Sequence, residues 1–137
     1  MEAVIQSLLA GAPVFLLHVG VTLVMLVIGV VLYMWMTPYE DIKLIRDGNT
    51  AAGIALGGVI LAMGIPLAST MRSSVNVWDI VFWGALTIVL QMIVFKVIDW
   101  VLKGLPRRIE EGEVGAAAML TGAKLAVGAI NAAAVAT

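Results

Sequence analysis

The chain has 137 residues, of which 62% are hydrophobic and only 12% charged, about half of the roughly 25% that a soluble domain carries. Its apolar residues must face lipid, and a soluble globular domain is excluded. Eight Lys and Arg against nine Asp and Glu leave a net charge of -1, which offers no basic footprint for nucleic acid. The absence of cysteine removes disulfides, thiolate nucleophiles and Cys-type metal sites.

Four apolar stretches reach the roughly 20 residues that a helix needs to cross a hydrocarbon core about 30 Å thick. The first, about 13–36, ends on Tyr33 and Trp35, amphipathic rings of the kind that settle at headgroup level. It has no positive leader and is too long for a cleaved signal peptide, so it is expected to stay as an anchor. In Thr37-Pro38-Tyr39-Glu40 the hydroxyl is placed to cap a short helix, proline sits where its missing N–H is harmless, and Glu40 reaches back to the cap. That helix carries Ile42 and Ile45, lies in the interface and stops at Gly48, which tolerates a left-handed cap. Asn49 or Thr50 then caps the second span, about 50–70. The third span, about 78–102, opens on Trp78 and Trp83 and closes on Trp100. The next loop repeats the short-helix pattern: Pro106 starts, Ile109 points inward and Gly112 stops, before a fourth span at about 114–136. Lys43, Arg46, Lys103, Arg107 and Arg108 lie on one side against Arg72 on the other. Loops 37–49 and 103–113 are therefore expected in the cytoplasm, with both termini periplasmic or extracellular.

A shift of 64 positions lays Ile45–Ala68 over Ile109–Ala132 without gaps, pairing Gly48 with Gly112, Ala52 with Ala116, Leu56 with Leu120, Gly58 with Gly122 and Gly64 with Gly128. Matched glycines repeat backbone approach and not hydrophobicity alone. The single membrane domain thus reads as two tandem two-helix repeats, about 13–70 and 78–136, related by a pseudo-two-fold along the membrane normal. The strings Thr37-Pro38-x-Glu40, Leu44-Ile45-x-x-Gly48-Asn49-Thr50-Ala51-Ala52 and Pro66-Leu67-Ala68, followed by Trp83-Gly84, Gln91-x-x-x-Phe95, Gly115-Ala116-Ala117 and Asn131-Ala132-Ala133, resemble the YjfL-like family of small bacterial inner-membrane proteins, domain of unknown function 350. That resemblance implies an inner-membrane protein without established activity, associated with envelope-stress gene neighbourhoods. It supplies no catalytic residues, and Lys124 stands where the family pattern has a small or apolar residue.

Small residues four apart in the second and fourth spans, among them Gly53 and Gly57, Gly58 and Ala62, Gly64 and Ala68, Gly122 and Ala126, and Gly128 and Ala132, let helix backbones approach in lipid. These spans are expected to form the centre of the protein, although the same smooth surface could line a pore or dock a subunit. Pro66 can kink its helix and free a carbonyl.

Ionisable groups in spans are functional candidates because a charge at the bilayer centre costs at least about 2.5–3.5 kcal/mol. At about 1.5 Å per residue, Asp99 is shallow, Lys96 about two turns deep and Lys124 close to the midplane. Lys96 and Asp99 are placed to pair on one helix, and Lys96 can snorkel. Lys124, with Gln91 at similar depth, Asn131 on its own helical face and Asp99 as a possible partner, outlines a polar seam between the third and fourth spans. Such a seam is either a pathway or interhelical glue. His18 has no metal-ligand neighbours, Asp79 reads as a charge at a helix N-terminus, and Glu110, Glu111 and Glu113 form a solvated cluster. No phosphate loop, metal site, cofactor site or Ser-His-Asp set is present, which argues against an enzyme. The sequence reads as an all-α integral membrane protein of four transmembrane helices, a structural or interaction subunit acting as a homo-oligomer or with another membrane protein. The alternative is a small oligomeric ion or solute channel or transporter running past Lys124, Gln91, Asp99 and Asn131.

Overall fold

A computed structural model describes residues 1–135. It is helical in six segments: α1 (Glu2–Met36), α2 (Asp41–Arg46), α3 (Thr50–Ser73), α4 (Val77–Val101), α5 (Leu105–Glu110) and α6 (Val114–Val135). The four long helices are each apolar and long enough to cross a membrane, and among the described residues there is no strand. The first helix starts far earlier than the apolar span expected at about 13–36. Nothing between Glu2 and Ala12 stops a helix, and Pro13 is accommodated inside α1.

The two short helices end alike. Gly48 and Gly112 adopt φ of +88° and +91°, and each is followed by the same pair of bonds: Gly48 N–H to Ile45 and Asn49 N–H to Leu44, Gly112 N–H to Ile109 and Glu113 N–H to Arg108. This is the double closure that a left-handed glycine permits. Their starts depart from expectation. Thr37 does not cap α2 and Glu40 does not reach back. Helix α2 begins at Asp41 with Glu40 as an N-cap residue that makes no side-chain bond, and the Thr37 hydroxyl lies against the Met34 carbonyl at the end of α1. Pro106 is the second residue of α5, behind Leu105 and a left-handed Gly104.

Helices α3 and α6 form the centre and run in the same direction, since Ile54 meets Thr121 near their starts and Ala62 meets Gly128 a few turns on. Helix α4 is antiparallel to them, and α1 packs on α3 and α4. Only part of the expected glycine set makes the close approach. A Cβ on Gly128 would stand 2.5 Å from the Ala62 carbonyl oxygen, and one on Gly58 2.5 Å from Thr121 Cγ2. Gly64 faces Leu26 of α1 loosely, at 3.9 Å, whereas Gly53, Gly57 and Gly122 face open space. The four-apart pattern cannot tell the two sides of a helix that is small-residue-rich all round. Gly84, which the spacing did not single out, lies against Met25, and Gly29 against Met63. Buried alanines, Ala51, Ala52, Ala116 and Ala117, finish the α3–α6 seam near the loops. Side chains such as Leu23, Val27, Phe82, Leu86, Ile93 and Met119 point outward, the arrangement that lipid requires.

Candidate functional site: a buried polar cluster and its fasteners

The site grows from three backbone accidents that the sequence creates. The first is Pro66. Lacking an N–H, it leaves the Ala62 carbonyl four residues earlier without its helical donor, and in hydrocarbon no water supplies one. Gln91 of α4, fully buried, donates Nε2 to that carbonyl at 2.8 Å. The Gly128 backbone closes over the same oxygen from α6. One proline thus joins three helices at mid-span, with Gln91 Nε2 supplying the donor that α3 lacks while Gln91 Oε1 has no hydrogen-bond partner among the described residues.

The second is Asn49. Its Oδ1 accepts the Ala52 N–H, capping α3, while its Nδ2 donates to the carbonyls of Ile109 (3.0 Å) and Glu110 (3.1 Å) at the end of α5. A helix end leaves carbonyls unpaired, and here the cap of one central helix fills that need for the loop before the other. Across the second loop, Arg108 Nε donates to Glu113 Oε2 at 2.6 Å, so Glu113 is engaged and not merely solvated.

The third is Lys124. A lysine on a helix leans toward its N-terminus, and this one carries its ammonium back to the level of Tyr33 and Asp99, a turn or less from the ends of α1 and α4. The ammonium therefore lies nearer that end of the bundle than its own backbone does, which is halfway along α6. Nζ donates to Tyr33 Oη at 2.6 Å and lies 3.1 Å from Asp99 Oδ1. It is also 4.6 Å from the Tyr33 ring centre and 5.3 Å from that of Phe95, with the two rings edge-to-face. A cation over rings in a dry site is stabilised by about 2 kcal/mol. Asp99 is thus taken by Lys124 and not by Lys96, which is exposed on the outside of the bundle. Asn131 is buried on the Lys124 face, but its Nδ2 has no hydrogen-bond partner among the described residues, and no bond links it to Gln91 or Lys124.

Beside the ion pair, Asp41 of α2 is 3% exposed and lies 2.7 Å from the Thr37 hydroxyl. Burial pushes its carboxyl above the usual carboxylate range, against the pull of Thr37, of its own backbone N–H and of the Lys124 charge. Tyr39 is likewise pushed up, first by burial and then by Asp41 and Asp99. A cavity of about 10 Å³ is lined by Tyr33, Tyr39, Asp99, Thr121 and Lys124, about the space of a single water. Sequence reasoning missed Tyr33, taken only as a headgroup aromatic, and Thr37 with Asp41. Spacing along one helix cannot report a contact between residues 91 apart. His18 sits partly buried on α1, and no group of three or more potential metal-binding side chains occurs among the described residues.

Four apolar helices of membrane-spanning length, tied by buried polar side chains, define an integral membrane protein of the helical-bundle class. A family model described as Domain of Unknown Function (DUF350) matches residues 7–135, and the chain belongs to that family. It is 32% identical over 130 residues to the UPF0719 inner membrane protein YjfL of Escherichia coli K12, covering 95% of this chain and 96% of that protein, and equally to the same protein of Escherichia coli O157:H7. No solved structure matches.

Proposed function

We propose that the chain is a structural or interaction subunit of the bacterial inner membrane. The supporting observation is that the two strongest donors buried in its spans, Gln91 Nε2 and Lys124 Nζ, are engaged in fastening one helix to another. Gln91 Nε2 is spent on Ala62 and Lys124 on Tyr33 and Asp99, and the cavity beside Lys124 measures only about 10 Å³. The seam is glue, worth about 0.6–2 kcal/mol per contact in a membrane, and not a path. Each half of the chain is a long helix, a six-residue helix and a second long helix. Asp41 and Leu105, Arg46 and Glu110, and Thr50 and Val114 are element boundaries separated by the same 64 residues, which supports two tandem copies of one unit. The Lys and Arg bias supports cytoplasmic α2 and α5 and outward termini. So small a chain acts as a homo-oligomer or with another membrane protein. A role in an envelope-stress assembly rests on the family resemblance alone.

The test is ion and small-solute flux in proteoliposomes containing the protein, beside Lys124→Leu and Asp99→Asn variants at matched incorporation. Liposomes that stay tight with folded protein are the expected result. Flux that changes with either substitution would overturn the reading and make the seam a conduction path.

A further inference from the structure

Helix α1 is too long for the bundle it belongs to. It has 35 residues against 24 in α3, and 24 residues counted back from Met36 end at Pro13. The packing agrees with the count: Phe15 and His18 share a groove with Met71 and Arg72, the last turn of α3. Glu2–Ala12 therefore extends about 16 Å past the bundle, on the face opposite α2 and α5. Residues 1–17 are all exposed, with Val4 at 59%, Ile5 at 49%, Leu8 at 62% and Leu9 at 72%. Side chains of that kind do not stand in water.

We propose that Glu2–Ala12 lies along the bilayer surface as an interfacial amphipathic segment, bent away from the spanning part of α1 at Gly11–Pro13. At 100° per residue, Val4, Ile5, Leu8, Leu9 and Ala12 fall in one half of the circumference, and Glu2, Ala3, Gln6, Ser7 and Ala10 in the other. An apolar half beside a polar half needs cover on one side only, which a lipid interface supplies. The bend has a cause in the sequence at the required level. Pro13 cannot donate to the Leu9 carbonyl, and Gly11, two residues before it, weakens the helix further, so that breaking the axis there sacrifices little. The occupant is the boundary between headgroups and acyl chains on that face.

The chain has no cysteine, so single-cysteine variants at Val4, Gln6, Ser7, Leu8 and Leu9 report one site each. Nitroxides at these positions, in vesicles of phosphatidylethanolamine and phosphatidylglycerol, are read for relative accessibility to oxygen and to a water-soluble nickel chelate. The expected pattern follows the helical period. Labels at Val4, Leu8 and Leu9 lie about 5–10 Å below the surface, with oxygen-to-nickel ratios several-fold above those at Gln6 and Ser7. A nickel accessibility that rises steadily from Leu9 to Val4 would mean a straight helix in water. Protection from both reagents with spin–spin broadening would mean a second copy covers the segment, and protection without broadening a different protein. Each of these three results overturns the proposal.

Discussion

Pro66, Ala62 and Gln91 make the clearest case of one residue explaining another. A Gln91→Leu change strands a buried carbonyl and should lower stability by about 1–3 kcal/mol. In a Pro66→Ala background the helix supplies its own N–H to Ala62, so the same change should cost measurably less. A double-mutant cycle on thermal melting in detergent, followed by the four tryptophans, checks this, and additive losses would refute the link. Lys124 carries the second residue-level prediction. An unpartnered lysine would be better replaced by leucine, but this one is paired, so Lys124→Leu leaves Asp99 and the Tyr33 hydroxyl behind. The loss should be about 1–3 kcal/mol, below that for a fully buried pair, because the Asp99 side chain is 26% exposed. A Lys124→Leu protein that melts at or above the parent temperature would contradict the pairing. Both polar residues were legible as anomalies in the sequence, but their partners were not: a proline four residues after a carbonyl names the need, while the glutamine that meets it lies 29 residues away from that carbonyl.

Among the elements, the α3–α6 pair depends on contact between backbones, and its glycines are not equivalent. Gly128→Ala drives a methyl into the Ala62 carbonyl, and because the obstacle is main chain the helices must part, at about 1–3 kcal/mol. Gly122→Ala meets nothing and should be neutral or slightly stabilising, since alanine is the better helix former. Comparing the two melting temperatures checks the assignment, and equal effects would show that α3 and α6 pack by another face. The same contrast marks the limit of sequence pattern. Spans, loop stops at Gly48 and Gly112 and the Asn49 cap follow from local chemistry and were readable. Which side of a helix lined with small residues faces its neighbour depends on rotation about the axis, and no local signal encodes that where alanine and glycine surround it. The start of α2 was not legible because the Thr37 hydroxyl meets the Met34 carbonyl behind it and the Asp41 side chain ahead of it, and no backbone N–H of α2.

For the whole molecule, the Lys and Arg bias predicts that both short-helix loops face the cytoplasm. Single cysteines at Asp47 and Glu111, both exposed, should react with a membrane-impermeant maleimide only after the cells are opened, and one at Arg72 should react in intact spheroplasts. The reverse pattern would invert the topology. The fastening of Lys124 also has a consequence for how the protein enters its membrane. Helix α6 is the least hydropathic of the four and carries a lysine into the bilayer, yet Tyr33 and Asp99 belong to helices synthesised before it. The chain order that puts Tyr33 and Asp99 ahead of Lys124 thus delivers both partners to the membrane ahead of the ammonium that they hold.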